Sequence, residues 1–599
     1  MNRFIAVDGE SFTVKNEHRY TLLADSTGRY EYDARGLSTV RCFEFLLDLP
    51  KPAIHVAYGW NYDVNMILRD VPLRNLLELW HSGTTNWNTY RIEWIPSKWF
   101  VVRNGKRRIK VCEAFGFFQT SFVNALRKWG LDPTDEIESM KQERSSFDSA
   151  MKAEVISYCL AECRQLVTLM DELEIALISV GLKLSSWVGA GSIASALMSR
   201  EGVKYSLTHD AEFGKDIFHA IRCAYFGGRS ELFLQGSFQT LWDYDISSAY
   251  PSEARNLPAL PNGEWKHRRK FADYPYSLWR CEWELDSTTI VNPFPVRGSS
   301  NRGDICYPYR GAGWYHYPEV STALRLGYDV KVKEGYTFHP ANDRKPFKFI
   351  PEVYAHRAEL KREGHAGEKV LKLGLNSIYG KTAQGSGWRG RHPPFQSYLW
   401  AGLITSGCRA RILDLASKAP ESLVMVATDG IFFSRNPEIE TSEGLGGLEL
   451  TTFDNAFVAQ PGVYSAESNG EIIGRSRGFF SREIDFDDLR NGYEREGCTY
   501  VGSYQATRFV GLGASLVTNS LEKWRSWQTI ERKLSLYPSR KFVEDIDSPN
   551  PIRHLSPAMP EGSFSEPYVP KPTSTPITGD ELDALVSYVQ GTEQPLKDY

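Results

Sequence analysis

A cation, an amide and an aromatic ring recur at helical spacing within residues 372–381 (KLGLNSIYGK). Asn376 lies four residues after Lys372, and Tyr379 lies three residues after Asn376. On a helix the three side chains therefore share one face. The apolar residues of the segment fall on another face and can pack against a core. One face therefore offers a cation, an amide and an aromatic ring to a ligand. Taken alone, the pattern is more typical of an amphipathic core helix with a lysine at its edge.

Two flanking segments change that balance. Residues 245–252 (DISSAYPS) lie upstream and residues 426–430 (VATDG) lie downstream. In chain order the three segments, here called segments A, B and C, resemble motifs A, B and C of family B (alpha-like) DNA polymerases. Those motifs read D-x2-S-L-Y-P-S, K-x3-N-S-x-Y-G and D-T-D-S. The chain therefore resembles the small phage- and plasmid-type replicases of this family.

Segments A and C each contribute a carboxylate near the end of a predicted strand. Asp245 ends a strand over residues 241–244, and Asp429 lies where a strand over residues 424–430 turns. Two-metal phosphoryl transfer needs such oxygen ligands. The resemblance implies that Asp245, Asp429 and the backbone carbonyl of Ile246 bind two Mg²⁺ or Mn²⁺ ions. Two ordinary strand-end aspartates are the alternative interpretation.

The resemblance also implies nucleotide-binding roles. Tyr250 would lie under the sugar of the incoming nucleotide and exclude a 2′-hydroxyl. The backbone amides of residues 247–250, including Ser248 and Ala249, would face the triphosphate. Side chains on a helical hairpin complete the site: Arg357 and Lys372 for the triphosphate, Asn376 and Tyr379 near the templating base pair, and Lys361 and Lys369 as weaker candidates.

Two further segments resemble DNA-contacting blocks of the family. Residues 225–229 (YFGGR) resemble the Y-x-G-G block between exonuclease and polymerase domains, and residues 460–464 (QPGVY) resemble a later K-x-Y block. Paired glycines allow the backbone to approach DNA closely. Gly462 stands where the family has lysine, which removes one contact to the primer. The implied DNA contacts are Tyr225, Gly227, Gly228, Arg229 and Tyr464.

The N-terminal region contains a second acidic group. Asp8 and Glu10 form a D-x-E pattern at the end of a predicted strand, which is weak by itself. Together with residues 60–63 (WNYD) and 158–162 (YCLAE), it resembles the Exo I, II and III motifs of the proofreading domain. The implied ligands of two further metal ions are Asp8, Glu10, Asp63 and Glu162, and Tyr158 would orient the attacking water.

The resemblance implies a multidomain chain of mixed α/β and α+β class, with an RNase H-like exonuclease domain followed by a right-hand polymerase of palm, fingers and thumb. Alternating strands and helices in the first domain agree with this. The predicted boundaries are 1–190 for the exonuclease, 191–345 for connector and palm (with a possible insertion from about residue 257), 346–385 for the fingers, 386–485 for the remaining palm, 486–546 for the thumb, and 547–599 for a tail rich in proline and serine.

Apolar periodicity predicts the elements that position the candidate residues. Strands are expected at 4–7, 53–57, 99–102, 110–112, 422–427 and 430–434, and helices at 149–180, 352–362, 368–379 and 579–588. A short loop joins the helices at 352–362 and 368–379, which predicts an antiparallel helical hairpin.

Composition indicates a protein of the cytosol, which is the host cytoplasm if a phage encodes it. No run approaches the ~20 apolar residues of a membrane-spanning helix. Nine scattered cysteines indicate reduced thiols and no zinc site. The net charge is −4, yet residues 344–381 carry nine Lys or Arg against four Glu. Local clustering of cations, not their sum, governs phosphate binding.

The implied activity is template-directed DNA synthesis with 3′–5′ proofreading, in replication of a phage or plasmid genome. The expected partners are primer–template DNA and deoxynucleoside triphosphates, with replication accessory proteins or a terminal protein as further candidates. No membrane is involved, and the chain is expected to act as a monomer. Priming by a nucleic acid and priming by a protein both stay open.

Three further positions depart from the family pattern. Ala427 replaces the first carboxylate of segment C, Gly59 replaces an asparagine four residues before Asp63, and Glu162 replaces an aspartate. These departures keep two alternatives open. One is a catalytically weakened polymerase-like protein that binds DNA as a scaffold. The other is a nuclease whose polymerase half only binds DNA.

Overall fold

The computed structural model describes residues 3–14, 17–143, 147, 151–286, 289–297, 305–308, 310–385, 392–479, 484–536, 555–556 and 564–565. Within these ranges, no helix is long and apolar enough to span a membrane. Most of the tail predicted at 547–599, including the helix expected at 579–588, lies outside the described residues.

The N-terminal domain is built on one mixed sheet. Its strands are β1 (Phe4–Val14), β2 (Glu17–Asp25), β3 (Tyr30–Tyr32), β4 (Ile54–Ala57), β5 (Thr84–Trp87), β6 (Tyr90–Ile95), β7 (Trp99–Asn104) and β8 (Arg107–Glu113). They lie in the order β3-β2-β1-β4-β8-β7-β6-β5, and β4 runs parallel to both β1 and β8. Parallel neighbours need crossover connections, which explains why helices alternate with strands here.

Helices cover this sheet. They are α1 (Thr39–Leu47), α2 (Asn61–Ile67), α3 (Leu73–Ser82), α4 (Phe115–Phe118), α5 (Phe122–Lys128), α6 (Asp135–Glu143) and α7 (Lys152–Ser179). The long α7 agrees closely with the helix predicted at 149–180. Its buried stripe, which includes Val155, Cys159 and Leu166, packs into the same core as Phe4 and Ala6 of β1. This packing sets one face of α7 against the strand that carries the D-x-E pattern.

The described residues after the N-terminal domain form a seven-stranded sheet and several smaller ones. The strands are β9 (Arg229–Leu232), β10 (Gly236–Ile246), β11 (Glu264–Arg268), β12 (Ser277–Glu284), β13 (Val296–Arg297), β14 (Ile305–Cys306), β15 (Arg310–His316), β16 (Val330–His339), β17 (Leu423–Thr428), β18 (Gly430–Phe433), β19 (Leu448–Gln460), β20 (Val463–Ser468), β21 (Glu471–Ser476), β22 (Val501–Phe509), β23 (Trp527–Ser535), β24 (Leu555–Ser556) and β25 (Phe564–Ser565). Seven form a sheet in the order β21-β20-β19-β10-β18-β17-β9, and four form another in the order β11-β16-β12-β15. The four-stranded sheet occupies the region where the sequence leaves room for an insertion.

The helices that accompany these sheets include the fingers hairpin. They are α8 (Ala190–Arg200), α9 (Lys215–Ala224), α10 (Ala249–Ala254), α11 (Tyr317–Arg325), α12 (Ile350–Arg362), α13 (Gly367–Asn376), α14 (Ile378–Thr382), α15 (Tyr398–Ala416), α16 (Phe486–Glu496) and α17 (Leu512–Val517). The single helix predicted at 368–379 is thus interrupted at Ser377, where weak helix formers stand side by side. Leu371, Leu375 and Ile378 are nevertheless buried, as their spacing predicts.

The C-terminal ribbon of β22 and β23 returns to the N-terminal domain. Leu512 is fully buried in the core of that domain. The Asn65 Oδ1 atom accepts hydrogen bonds from the backbone N–H of Leu512 at 2.7 Å and from Trp524 Nε1 at 2.9 Å. The segment that joins β22 to β23 therefore contacts the N-terminal domain directly.

Candidate active sites

The first candidate site lies in the seven-stranded sheet. Asp245 is near the end of β10, and Asp429 occupies the turn between β17 and β18. Asp245 pairs with Gly430 of β18, and the backbone N–H of Ile246 donates to the carbonyl oxygen of Asp429 at 3.0 Å. Antiparallel pairing therefore brings the carboxylates of segments A and C together.

Both carboxyl groups hold their protons more tightly than ordinary aspartates do. Partial burial, followed by the negative charges of Asp429 and Glu449, raises the pKa of Asp245 to about 6. Burial also raises the pKa of Asp429. A divalent cation between these oxygens would remove the repulsion, and carboxylate oxygens are the ligands that Mg²⁺ and Mn²⁺ prefer. The donor set therefore fits the metal ions that the resemblance implies.

Asp243 is a third carboxylate in this region, and the sequence analysis missed it. It precedes Asp245 by two residues on β10, so the two side chains share one face of the sheet. Burial, and then the charges of Asp245 and Asp429, raise the pKa of Asp243 to about 8. The sequence signal that could have identified Asp243 is its D-x-D spacing with Asp245. It was missed because Asp243 precedes the first residue of the family pattern.

In the absence of divalent cations, the Asp243→Asn variant should gain stability relative to the wild type as the pH rises from about 5 to about 8. A carboxyl whose pKa is raised on folding favours the folded state at low pH, and that contribution is lost as the pH rises through about 6 for Asp245 and about 8 for Asp243. An amide cannot acquire the charge. Thermal melting in EDTA across this range measures the difference. A constant difference between variant and wild type would contradict the assigned pKa of Asp243.

The turn that follows Asp245 is tight. Ser248 adopts a left-handed conformation with φ 52°, and Ala249 begins α10. The backbone N–H of Ser247 donates to the carbonyl oxygen of Gly447 at 2.9 Å. Of the amides expected to face the triphosphate, that of Ser247 is therefore already engaged within the protein.

Three tyrosines join segments A and B to the Y-x-G-G block. The ring centroids of Tyr250 and Tyr379 are 4.6 Å apart, and the hydroxyls of Tyr225 and Tyr379 are hydrogen-bonded at 2.8 Å. A Cβ atom on Gly228 would lie 2.7 Å from the Tyr250 hydroxyl oxygen, which is too close for any side chain. Gly228 therefore allows the half-buried ring of Tyr250 to occupy its place beside segment C.

A buried ion pair that the sequence analysis missed positions this block. The guanidinium of Arg409 on α15 donates to both carboxylate oxygens of Glu319 at 2.8 Å. It also donates to the carbonyl oxygens of Phe226 at 2.7 Å and Gly227 at 2.6 Å. Removing either partner would leave a buried charge unpaired. Neither residue lies in a family-like segment, so no local pattern identified them.

The predicted triphosphate ligands have different surroundings on the fingers hairpin. Lys372 and Asn376 are exposed on α13. Arg357 on α12 donates from Nε and Nη2 to Glu368 Oε1, at 3.1 Å and 3.0 Å. A triphosphate would therefore compete with Glu368 for the guanidinium of Arg357, whereas Lys372 is accessible at once.

Three other predicted contact residues, Lys369, Arg229 and Tyr464, have partners within the protein. The ammonium of Lys369 lies over an aromatic ring of the N-terminal domain, 5.1 Å from its centroid, while Lys361 is exposed. Arg229 is 1% exposed and forms an ion pair with Glu231 at 2.6 Å. Tyr464 is 8% exposed and packs against two phenylalanine rings. Burial withdraws both side chains from the surface and does not favour the DNA contacts predicted for Arg229 and Tyr464, which stay predictions.

The second candidate site lies between β1 and α7. Carboxylate oxygens of Asp8, Glu10 and Glu162 lie within 4.8 Å of one another, and the last two residues are buried. This close oxygen cluster fits divalent cations. Tyr158 is fully buried one turn before Glu162. A cavity of about 340 Å³ opens beside the cluster, and its lining includes Tyr58, Gly59, Ser121 and Phe122.

Asp63, the fourth predicted ligand of the nuclease site, is not part of this compact cluster and is held by a tyrosine. The hydroxyl of Tyr20 donates to Asp63 Oδ1 at 2.8 Å, and both side chains are buried. A Cβ atom on Gly9 would lie 1.8 Å from the Tyr20 hydroxyl oxygen. The glycine between Asp8 and Glu10 therefore gives Tyr20 the space to reach Asp63.

Gly59, where the family pattern has asparagine, is part of a different arrangement. The backbone N–H groups of Gly59 and Trp60 donate to the buried carboxylate of Glu113 at 3.0 Å and 2.6 Å. The side chain of Asn61 is hydrogen-bonded to Ser97 at 2.8 Å. The side chain of Asn61 is thus engaged by Ser97, and Glu113 fixes this loop at the rim of the cavity.

Comparisons with known proteins agree with this picture. Residues 129–386 match the model of a family described as DNA polymerase type B, organellar and viral. Over this segment the chain is similar to the organellar and viral type B DNA polymerases. The predicted resemblance to small phage- and plasmid-type family B polymerases is thereby confirmed.

Individual relatives are distant. A protein of Escherichia coli named primer-independent DNA polymerase PolB is 27% identical over 237 residues, which cover 35% of this chain and 27% of that protein. A DNA polymerase of Acidianus bottle-shaped virus (isolate Italy/Pozzuoli) is 23% identical over 452 residues, which cover 69% of this chain and 65% of the viral protein. The chain thus spans less than two thirds of the length of either relative.

The fold is that of a known polymerase structure. Phi29 DNA polymerase, in a complex with primer–template DNA and incoming nucleotide, superposes with a TM-score of 0.61 at 16% identity. The superposition covers 90% of this chain and 100% of phi29 DNA polymerase. The predicted fold class, an RNase H-like domain followed by a right-hand fold of palm, fingers and thumb, is confirmed.

Proposed function

We propose that this chain is a DNA-directed DNA polymerase with a 3′–5′ proofreading exonuclease, which replicates a phage or plasmid genome in the host cytoplasm. Each active site uses two Mg²⁺ or Mn²⁺ ions. At the polymerase site Asp245, Asp429 and the carbonyl of Ile246 hold the ions, and at the nuclease site Asp8, Glu10, Asp63 and Glu162 do so. The metal ions would activate the attacking oxygen and stabilise the leaving group. Primer–template DNA and deoxynucleoside triphosphates are the substrates of a monomer.

The observation that carries the proposal is the meeting of three separate chain segments at one surface. Asp245 and Asp429 converge through strand pairing, and the Tyr250 ring beside them contacts Tyr379 of segment B. A catalytic pair, a sugar-facing ring and a cationic helix are the parts that template-directed nucleotide addition needs. A scaffold that only binds DNA has no need of paired carboxylates that repel one another.

One primer-extension assay tests the proposal against both alternatives. A 5′-labelled primer on a longer template should lengthen with Mg²⁺ and dNTPs, and shorten with Mg²⁺ alone. A DNA-binding scaffold would do neither, and a nuclease with a silent polymerase half would only shorten the primer. A parallel reaction with template but no primer tests whether this chain, like the relative named primer-independent, starts strands by itself.

Tyr250→Val should selectively raise the incorporation of ribonucleotides. A ring packed against C2′ of the incoming sugar rejects ribose by overlap and leaves deoxyribose binding unharmed. Tyr250→Phe should retain the discrimination, because the ring and not the hydroxyl supplies the barrier. The ratio of incorporation efficiencies for dNTP and rNTP on one template measures the effect. An unchanged ratio in Tyr250→Val would mean that this ring does not select the sugar.

A further inference from the structure

Asp243 lies beside the polymerase carboxylates without belonging to segment A. A Cβ atom built on Gly430 would lie 3.4 Å from Oδ1 of Asp243 and 3.4 Å from Oδ1 of Asp245. Both carboxylates therefore border the space that the missing side chain of Gly430 leaves open. Pairing sets Asp245 opposite Gly430 and Asp243 opposite Phe432, so the two acidic residues follow one another along the same strip of sheet.

This strip adjoins the position where a carboxylate is absent. Ala427 pairs with Gly430 across the β17–β18 ladder. Its methyl group offers no oxygen where the family pattern of segment C has its first aspartate. Across the three neighbouring strands, Asp245, Gly430 and Ala427 lie side by side, and among these three residues only Asp245 carries a carboxylate. The next carboxylate on this face of β10 is Asp243.

The carboxylate of Asp243 is buried at one of its oxygen atoms. Its Oδ1 atom is inaccessible to solvent and accepts no hydrogen bond from any described residue. A second carboxylate, that of Asp245, borders the same space at Gly430. A buried carboxylate oxygen without a donor is costly, and a bound cation would relieve that cost.

We propose that Asp243 is an auxiliary carboxylate of the polymerase metal site, supplying the negative charge that Ala427 cannot. The inference rests on the proposed function, since it assumes that Asp245 and Asp429 bind metal ions. Among the described residues, Asp243, Asp245 and Asp429 do not form a compact three-ligand cluster of the kind that Asp8, Glu10 and Glu162 form. Asp243 therefore attracts and positions the ion from beside the primary ligands, as outer carboxylates of metal sites do.

Mn²⁺ binding, followed by electron paramagnetic resonance of the free ion, tests this without any turnover. The full-length chain carries Asp8→Ala and Glu10→Ala throughout, so that the nuclease site does not contribute. Asp243→Asn keeps the shape of the side chain and should weaken Mn²⁺ binding about tenfold. Asp454→Asn, at an exposed acidic residue of β19, is the matched control and should bind Mn²⁺ as the parent does.

Moving the carboxylate from position 243 to position 427 distinguishes a role of Asp243 in metal binding from a role in protein stability. In the Asp243→Asn background, Ala427→Asp should restore most of the Mn²⁺ affinity, because it returns a carboxylate to the family position. Loss of affinity that is not restored, together with a lowered melting temperature, would indicate a structural role and overturn the inference.

The outcomes for the inference and for the proposed function are distinct. Unchanged Mn²⁺ affinity in Asp243→Asn, with strongly reduced affinity in Asp245→Asn, would overturn the role of Asp243 and leave the proposed metal site intact. Unchanged affinity in Asp245→Asn as well would overturn the metal site itself.

Discussion

Replacing Asp245 or Asp429 with alanine should abolish nucleotide addition while the protein still binds primer–template DNA. Each carboxylate is expected to hold a cation that stabilises the charge developing on the transferred phosphoryl group. Loss of a single preorganised electrostatic contact costs on the order of 10²- to 10³-fold in rate, and loss of a metal ion costs more. We therefore expect extension to fall by at least about 10³-fold. DNA affinity should persist, because phosphate contacts come from cations elsewhere.

Single-turnover extension of a labelled primer at saturating enzyme measures this loss, and a gel shift of the same duplex measures binding. Asp454→Ala removes an exposed carboxylate from the same sheet and should extend primers at the parental rate. Since Asp245 and Asp429 repel one another without metal, their alanine variants should not be less stable than the parent in EDTA. Near-normal extension by Asp429→Ala would refute the assignment of segment C.

The double variant Asp8→Ala with Glu10→Ala should lose degradation of primer 3′ ends and keep nucleotide addition. The two residues lie on β1, whereas the polymerase carboxylates lie on a different sheet. Two of the three oxygens of the cluster with Glu162 disappear in this variant, so no compact metal site remains. We expect nuclease activity to fall by at least about 10³-fold, while extension stays within about twofold.

Degradation of a labelled single strand in Mg²⁺ without dNTPs measures the nuclease. Glu162→Asp is the conservative control and should retain activity, because aspartate is the usual ligand at this position of the family pattern. Degradation that survives the double change would locate the nuclease elsewhere. Loss of extension in the same variant would contradict the independence of the two sites.

The sequence alone was sufficient where function depends on residues close together in the chain. Segment B predicted its own buried face, since Leu371, Leu375 and Ile378 follow helical periodicity, and the D-x-E pattern lay on the predicted first strand. The order of segments A, B and C predicted the fold class and the resemblance to family B polymerases, because these segments contain the residue types that such a polymerase site needs. Local spacing also predicted α7, which carries Glu162 into the acidic cluster.

Only the tertiary structure decided which polar side chains are available to a ligand. Arg229 stands in a DNA-contact-like block, yet it is buried against Glu231, and Arg357 is engaged by Glu368. Both outcomes depend on partners whose placement follows from strand pairing and helix packing, which no local pattern encodes. The same holds for Asp243, because the pairing of β10 with β18 sets it beside the open space at Gly430. The sequence by itself thus determined which chemistry is present, and the packing of distant segments decided which residues can perform it, since burial and partnership are properties of the folded chain.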